Sequence, residues 1–476
     1  MISLNRQSSE PLYMQIYTQI KNEILSGTIK EGQLLAGSRC LAITLGVSRN
    51  TVDGAYNQLA AEGYVTPKQG VGYIVVSVPE LTVHWEKPEQ NMAMKRMTLR
   101  TSPHMKKEPS VLYDLTNSSQ TSDLFPKRLW KRCTLECLDM LENESKISAY
   151  QDKKGEPYLR KNLLSYLERI RGVHCNENQI IITSGLQQSL DYICKLLFSR
   201  QQTILMEEPG YNKAAAVFHN NNINVQTVEV DENGIIVSKL PQEAQVCAVY
   251  STPSHQFPTG GTLSVSRRYE LLEWAHQNDA FIIEDDFDSE LRYYSKPIPS
   301  LQSIDSNDSV IYIGTFSKAL SPSIRMGYMI LPPLLLRSYL ETYEDYNSTV
   351  PLLNQYVVAR LIETGQYDRH VRRLNHVFRR RLESFLTELA DVKNKLELSS
   401  NGTGQYFLLK FSQQAEQSIL IEKALEQGVK VYPTMQFWRD KAACPPNTLF
   451  LGFSKIALED IPDCVKRLKA AWKAWL

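Results

Sequence analysis

The sequence predicts an α/β protein that carries a separate helical unit at its N-terminus. From residue 112 onward, short runs rich in β-branched residues alternate with longer helical patterns, which favours a largely parallel sheet. Residues 1–77 instead combine short amphipathic patterns with a glycine-containing hairpin. Residues 78–111 lack clear periodicity and hold six Lys/Arg against four Glu, so we expect a basic linker between the two parts.

The composition is that of an ordinary globular protein. Of the 476 residues, 42% are hydrophobic and 22% are charged, which excludes the disordered and fibrous classes. The 53 Lys+Arg and 52 Asp+Glu leave a formal net charge of +1. Taken over the whole chain, this balance gives no sign of binding to nucleic acid, membranes or acidic substrates.

No membrane span, secretory signal or metal site is expected. The N-terminus has no apolar signal-peptide core, and the longest apolar stretch, residues 328–336, is interrupted by Pro332 and Pro333. The 8 cysteines form no CxxC pair and have no His-linked spacing, as is typical of reduced thiols. We therefore expect a cytoplasmic protein.

The N-terminal unit has the pattern of three helices and a hairpin. A first helix is predicted over residues 11–27, where apolar residues are spaced by four, and a second over residues 38–45. After a turn at residues 46–47, Ser48 is the expected cap of a third helix. Residues 64–76 then form a hairpin, or wing. This order is typical of a helix-turn-helix domain.

The start of the third helix suits DNA. Its first turn offers free backbone N–H groups and the positive end of the helix dipole. Arg49 fits guanine and Asn50 fits adenine through paired hydrogen bonds, and Gly70 and Gly72 allow the wing tip to approach a groove closely. The same pattern also fits a small three-helix interaction module that does not bind DNA.

Residues 9–77 resemble the winged-helix domain of GntR-type bacterial regulators almost throughout, from PLYMQIYTQIKNEILSG to SRNTVDGAYNQLAAEGYV. One departure is that Ala36 and Gly37 stand where relatives usually have Pro and Ser, so we expect a less rigid start of the second helix. The resemblance implies DNA contacts from Ser38, Arg39, Ser48, Arg49, Asn50, Thr51 and Gly70.

The charge of this unit bears on how it would bind DNA. Residues 1–80 hold six Lys/Arg and six Asp/Glu, so this part is also formally neutral. The near-zero total therefore does not exclude DNA. It predicts modest non-specific affinity for one unit, so that tight binding should need the two units of a dimer at once.

The segment Gly314-Thr-Phe-Ser-Lys318 is the most informative part of the larger region. A lysine on a loop after a strand-like run, followed by Arg325, suits an aldehyde cofactor that bears a phosphate. The amine would bind the aldehyde covalently, while Thr315, Ser317 and Arg325 would hold phosphate oxygens. Alone, the same residues also fit an ordinary solvated Ser-Lys pair.

Two other segments fit the same cofactor. Residues 180–189 predict a strand, a turn at Gly185 and a helix start, a junction whose amides can hold a phosphate. Residues 281–286 place Asp285 at a strand end, where a carboxylate can keep a pyridine nitrogen protonated. Singly, the first is also compatible with an ordinary strand-to-helix loop, and the second with a helix cap or an ion pair.

The series TSG, EEPGY, TPSHQFPTG, EDDFDSE, GTFSK and SIRMG resembles the fold-type I aminotransferases, which bind pyridoxal 5'-phosphate (PLP) through a lysine. The resemblance covers roughly residues 112–476, with a small C-terminal subdomain from about residue 355 that includes VKVYP and LGFS. Joined to a GntR-type unit, the whole chain resembles the MocR/GabR family of PLP-dependent transcriptional regulators.

This resemblance implies a role for each matching residue. Lys318 is the reactive lysine that binds PLP, Asp285 pairs with the pyridine nitrogen, and Tyr211 stacks on the ring. The family is usually a head-to-tail homodimer in which each DNA-binding domain leans on the large domain of the other chain. Phosphate contacts are expected from Gly185, Leu186, Thr315, Ser317 and Arg325, and from Tyr150 to the neighbouring subunit; His255 is also expected at the cofactor.

Three departures weaken the match to an active aminotransferase. Phe287 replaces the tyrosine that commonly bonds the phenolic oxygen of the cofactor, and Phe257 replaces the asparagine of the NPTG motif. Phe450 stands where the family carries the arginine that binds the α-carboxylate of a substrate. Lys213 would replace that arginine only in part, because an ammonium lacks the planar fork of a guanidinium.

We therefore expect a PLP-binding bacterial transcription factor that binds operator DNA. The signal is either PLP itself, which reports vitamin B6 supply, or an amino acid that reacts at Lys318; Phe450 and Phe287 favour PLP. An alternative is a true aminotransferase with a regulatory DNA-binding unit. A third hypothesis is a regulator that has lost PLP.

Overall fold

The computed structural model describes residues 2–77, 111–117, 121–197, 203–241, 246–294 and 298–476. The chain forms two compact units, with the division between His104 and Met105. Except for Val111, the basic linker predicted for residues 78–111 lies outside the described residues. Within the described parts, no helix combines the length and apolar character needed to cross a membrane.

The N-terminal unit is a three-helix domain with a two-stranded wing. Its elements are α1 (Leu12–Leu25), α2 (Ser38–Leu45), α3 (Arg49–Ala61), β1 (Val65–Lys68) and β2 (Gly72–Val75), with β1 and β2 antiparallel. Two local signals set the boundaries of the turn. Gly46 ends α2 with φ 63°, and the Ser48 hydroxyl caps α3 by accepting from the Thr51 N–H at 3.2 Å.

The four-residue apolar spacing of α1 builds the core of this unit. Ile16 and Ile20 pack with Val52 and Leu59 of α3, and Val75 of the wing closes the same cluster. The apolar side chains therefore lie inside, and the polar start of α3 stays on the surface.

The larger unit has a central sheet between helices and a second, smaller sheet. Its helices are α4 (Lys127–Asn143), α5 (Pro157–Arg171), α6 (Leu186–Leu197), α7 (Asn212–Asn220), α8 (Val265–Gln277), α9 (Pro333–Thr342), α10 (Leu352–Glu363), α11 (Gln366–Glu388), α12 (Gln417–Glu426) and α13 (Ile461–Ala471). Its strands are β3 (Tyr113–Asp114), β4 (Ile180–Thr183), β5 (Thr203–Glu208), β6 (Asn224–Asp231), β7 (Gly234–Ile235), β8 (Val246–Ser251), β9 (Phe281–Asp286), β10 (Val310–Thr315), β11 (Gly327–Ile330), β12 (Leu396–Ser399), β13 (Tyr406–Phe411), β14 (Val429–Lys430), β15 (Tyr432–Pro433) and β16 (Thr448–Gly452).

The central sheet has the strand order β4-β11-β10-β9-β8-β5-β6-β7. The five strands from β10 to β6 are parallel, while β11 is antiparallel to both β4 and β10, and β7 is antiparallel to β6. The predicted largely parallel α/β sheet is therefore confirmed. The parallel strands end at one edge, where such sheets place their ligands.

The smaller sheet has the antiparallel order β12-β13-β16-β15, and a separate pair joins β14 in parallel to β3. Its core includes Leu115 from the start of the unit and Trp472 from its end. The predicted start of this subdomain near residue 355 lies within α10, where Tyr356 packs in the cluster of the large part. Residues from Leu374 onward in α11 belong to the small core.

Candidate functional site

A cavity of about 420 Å³ lies at the carboxyl end of the parallel strands. Each of four strands contributes to it: Asp285 is the second-last residue of β9, Thr315 ends β10, Thr252 follows β8, and Tyr211 comes shortly after β5. The cavity brings together eight residues predicted from the sequence: Gly185, Leu186, Tyr211, Asp285, Thr315, Ser317, Lys318 and Arg325.

Lys318 lies on the loop that follows β10. Its ammonium Nζ donates to the main-chain carbonyl of Asn117 at 3.0 Å. Burial lowers the pKa of Lys318, and the nearby Lys213 lowers it further, while Asp288 opposes both. A lowered pKa increases the fraction of neutral amine, which is the form that attacks an aldehyde.

Asp285 is the carboxylate that the cavity offers to a cation. The hydroxyl of Tyr250 donates to its Oδ2 atom, and burial raises the pKa of Asp285 to about 7. Strand alternation directs the neighbouring Glu284 elsewhere, where its carboxylate accepts from the backbone N–H groups of Leu301 and Gln302 at 2.8 and 2.9 Å. Of these two acids, only Asp285 lines the cavity.

Arg325 and the loop before α6 form the anion-binding end of the cavity. Arg325 has φ 53°, and Gly185 has φ 114°. A Cβ atom on Gly185 would lie 3.2 Å from the guanidinium of Arg325, so glycine allows this close approach. Nearby, the Thr315 hydroxyl donates to the Ser317 hydroxyl at 3.0 Å, and α6 starts at Leu186. Hydroxyls, a guanidinium and a helix start are suitable donors for a phosphate.

The remaining wall of the cavity is aromatic. Phe257 packs edge-on against Tyr211 at 5.4 Å and against Phe437 at 4.9 Å, measured between ring centroids. Phe437 in turn packs against Phe450 at 5.2 Å. Besides Lys318 and Arg325, Lys213 is the one further Lys or Arg among the described lining residues.

The predicted DNA-binding residues lie on the surface of the N-terminal unit. Arg39, Ser48, Arg49, Asn50 and Gly70 are exposed. The guanidinium of Arg49 lies 3.3 Å from Asp53, one turn along α3. Ser38 and Thr51 are half-buried at the starts of α2 and α3. Their contacts with DNA stay predictions.

Two family models match the chain. Residues 12–75 match the gntR family of bacterial regulatory proteins, and residues 119–439 match aminotransferase class I and II. YdeL of Bacillus subtilis (strain 168), described as an uncharacterized HTH-type transcriptional regulator, is 36% identical over 99% of this chain and 98% of its own. The chain belongs to the MocR/GabR-type transcriptional regulators.

Two further relatives extend over almost the whole chain. The probable rhizopine catabolism regulatory protein MocR of Rhizobium meliloti is 29% identical and covers 100% of this chain and 96% of its own. The pyridoxine biosynthesis transcriptional regulator PdxR of Corynebacterium glutamicum is 30% identical, covering 95% of this chain and 94% of its own. The predicted transcriptional regulator is therefore confirmed.

The kynurenine aminotransferase of Pyrococcus horikoshii, solved with PMP and substrates, has the same fold with a TM-score of 0.69. It is 25% identical and covers 78% of this chain and 92% of its own. The cofactor of this regulator is PLP. The cavity fits that group, because it supplies an amine for the aldehyde, a buried carboxylate for the pyridine nitrogen and donors for the phosphate.

Two residues that the sequence places at the cofactor, His255 and Tyr150, are not among the residues that line the cavity. His255 lies behind Phe287, with ring centroids 5.7 Å apart, and its Nδ1 atom is 2.9 Å from Asp288. The side chain of Tyr150 is 91% exposed, as a residue that acts in a neighbouring subunit would be. Both assignments stay predictions.

Two hydrogen bonds of this site were not predicted from the sequence. Asn117 holds Lys318 through a main-chain carbonyl, which gives no signal in the side-chain pattern. The hydroxyl of Tyr250, on the neighbouring strand β8, donates to Asp285 on β9. The run Ala248-Val-Tyr-Ser predicts β8, but not that Tyr250 meets Asp285.

Proposed function

We propose that PLP itself is the signal that this regulator detects at Lys318. The proposal rests on a contrast within one cavity. Lys318, Asp285 and the expected phosphate donors line one part of it, whereas another part is lined by Phe257, Phe437 and Phe450. A carboxylate placed against that wall would lose water without gaining a guanidinium. The name of PdxR, a relative that regulates pyridoxine biosynthesis, agrees with this proposal.

An amino-acid signal is the second candidate. Lys213 lines the cavity and is exposed, so its ammonium is available to a carboxylate. An exposed ammonium binds a carboxylate weakly, since water competes for both charges. This candidate therefore requires amino-acid binding that depends on Lys213.

We further propose that the regulator acts in the cytoplasm as a head-to-tail homodimer and has no sustained aminotransferase turnover. The exposed Tyr150 supports a site completed by two chains, and the aromatic wall argues against substrate capture. Steady conversion of any amino-acid and keto-acid pair would instead support the enzyme.

The test combines the visible absorption spectrum of the full chain with its affinity for operator DNA, each with and without PLP. We expect PLP to give a lysine-bound absorption band and to change operator affinity. The variant Lys318→Ala should lose both effects. A spectral change at micromolar amino acid, together with a change in operator affinity, would overturn PLP as the signal.

A further inference from the structure

Residues Leu112–Asn117, here called the arm, connect the cofactor site to the rest of the chain. Toward its N-terminus the arm continues into residues 78–111 and then into the DNA-binding unit. It is bound along the small subdomain: the Leu112 and Leu115 N–H groups donate to the carbonyls of Gly428 and Lys430, both at 2.9 Å. Among the described residues of the larger unit, only Val111 lies nearer in sequence to the DNA-binding unit.

The other end of the arm reaches the reactive lysine. Thr116 and Asn117 line the cavity, and the carbonyl of Asn117 accepts from Lys318 Nζ at 3.0 Å. An ammonium that donates to a carbonyl forms a charge-assisted hydrogen bond, which is stronger than a neutral one. The state of the lysine nitrogen therefore affects the arm directly.

Gly452 of β16 fixes the path of the arm. Its N–H group donates to the Leu115 carbonyl at 2.8 Å. A Cβ atom at this position would lie 2.3 Å from the carbonyl carbon of Thr116 and 2.5 Å from the Asn117 nitrogen. Any side chain at position 452 would therefore displace the arm.

We propose that the arm transmits the state of Lys318 to the DNA-binding unit, with Asn117 as the positioning residue that contacts the lysine. When the amine condenses with the PLP aldehyde, a C=N bond forms, the aldehyde oxygen leaves as water, and the nitrogen keeps at most one proton. The ammonium that donated to the Asn117 carbonyl is then gone, so this end of the arm loses that contact, while the Leu115 carbonyl still accepts from the Gly452 N–H group. This inference rests on PLP as the signal.

The first test measures hydrogen exchange of peptides covering residues 111–117 in the wild-type full chain, with and without PLP. We expect the exchange of these peptides to rise several-fold when PLP binds. Unchanged exchange, alongside a change in operator affinity, would overturn the role of the arm but leave PLP as the signal. This measurement needs no variant.

The second test uses Gly452→Ala, which should displace the arm whether or not PLP is bound. We expect the lysine-bound absorption band to persist, while operator affinity no longer changes with PLP. The matched control is Gly261→Ala, whose Cβ would lie 2.8 Å from the Glu232 carbonyl, in a loop of the large part. It should respond to PLP as the wild type does.

Two outcomes of the second test contradict the proposal in different ways. If Gly452→Ala keeps the full response of operator affinity to PLP, the arm does not carry the signal. If the wild type binds PLP but its operator affinity never responds, PLP is not the signal, and the inference about the arm fails with it.

Discussion

Phe450 stacks on Tyr406 with ring centroids 4.7 Å apart and 24° between the ring planes. The two residues come from the neighbouring strands β16 and β13 of the small sheet. The family resemblance places Phe450 where aminotransferases carry a carboxylate-binding arginine. Phe450 lines the cavity, and Tyr406 packs behind it, so an aromatic ring stands where the resemblance places a carboxylate-binding guanidinium.

Replacing Phe450 by arginine should create a response to amino acids. A charge-assisted pair contributes about 1.5–3 kcal/mol, or at least about ten-fold in affinity. We expect Phe450→Arg loaded with PLP to change its visible spectrum at an amino-acid concentration about ten-fold lower than the wild type requires. The control Phe450→Leu should show no gain, and equal responses of all three proteins would contradict the proposed role of this wall.

Asp285→Asn should weaken PLP binding. The substitution keeps the shape of the side chain but removes the charge that pairs with a protonated pyridine nitrogen, so we expect about 10- to 100-fold weaker binding. Equilibrium dialysis against PLP measures the change. The matched control is Glu284→Gln on the same strand, which leaves the cavity lining intact; a similar loss in that control would show that the effect is not specific to Asp285.

Arg49→Ala should reduce sequence-specific binding to DNA. A paired contact of arginine with guanine contributes about 1–3 kcal/mol, so operator affinity should fall by about 5- to 150-fold. The control Lys30→Ala removes the same charge from an exposed position outside the predicted DNA contacts. Fluorescence anisotropy with operator and scrambled DNA distinguishes the two, since equal losses on both DNAs would indicate a phosphate contact only.

Tyr150 and Lys318 should complement each other between chains if the dimer shares its sites. Tyr150→Phe should weaken PLP binding about ten-fold by loss of a hydrogen bond to the phosphate. A heterodimer of Tyr150→Phe with Lys318→Ala contains one site with both defects and one intact site. Purified by two different tags, it should bind PLP at half of its sites with wild-type affinity. Absence of such sites would contradict a shared site.

Glu290 should make the stability of the protein depend on pH. Its carboxylate accepts from the hydroxyls of Tyr166 at 2.7 Å and Tyr367 at 3.0 Å, and burial raises its pKa from 4.5 to about 7. A raised pKa in the folded state stabilises the protein below the unfolded pKa, and this contribution is lost as pH rises through about 7.

The measurement compares the melting temperatures of the wild type and Glu290→Gln at several pH values. Raising the pKa of Glu290 from 4.5 to about 7 corresponds to a change of about 3 kcal/mol in the free energy of unfolding. We expect the wild type to lose more stability than Glu290→Gln between about pH 4.5 and pH 7, because the variant lacks the Glu290 carboxyl, while Asp285 and the other titrating groups are common to both proteins. Parallel curves for the two proteins would exclude Glu290 as a source of the pH dependence.

Elements with local signals could be predicted from the sequence. The turn between α2 and α3 follows from Gly46 and the Ser48 cap, and the strand that carries Asp285 follows from its β-branched run. Six predicted residues of the lining, Gly185, Asp285, Thr315, Ser317, Lys318 and Arg325, followed from motifs beside strand ends, while Leu186 and Tyr211 were implied by the family resemblance. Each depends on residues close to one another in sequence.

Contacts between distant segments could not be predicted in this way. Asn117 and Lys318 are 201 positions apart, and the contact uses a carbonyl that every residue possesses. The requirement for glycine at position 452 arises from the arm, which lies more than 300 residues earlier in the chain. Pairings of this kind depend on the completed tertiary structure.

The pairing of β3 with β14 and the shared core of Leu115 and Trp472 also determine when the protein becomes competent during synthesis. The N-terminal unit has its own core within residues 16–75, so it can fold early on the ribosome. The hydrophobic core that holds the arm is complete only once α13, the last of the described helices, has been made. A nascent chain therefore has a DNA-binding unit well before it has a finished cofactor site, and full-length synthesis becomes a precondition for regulation.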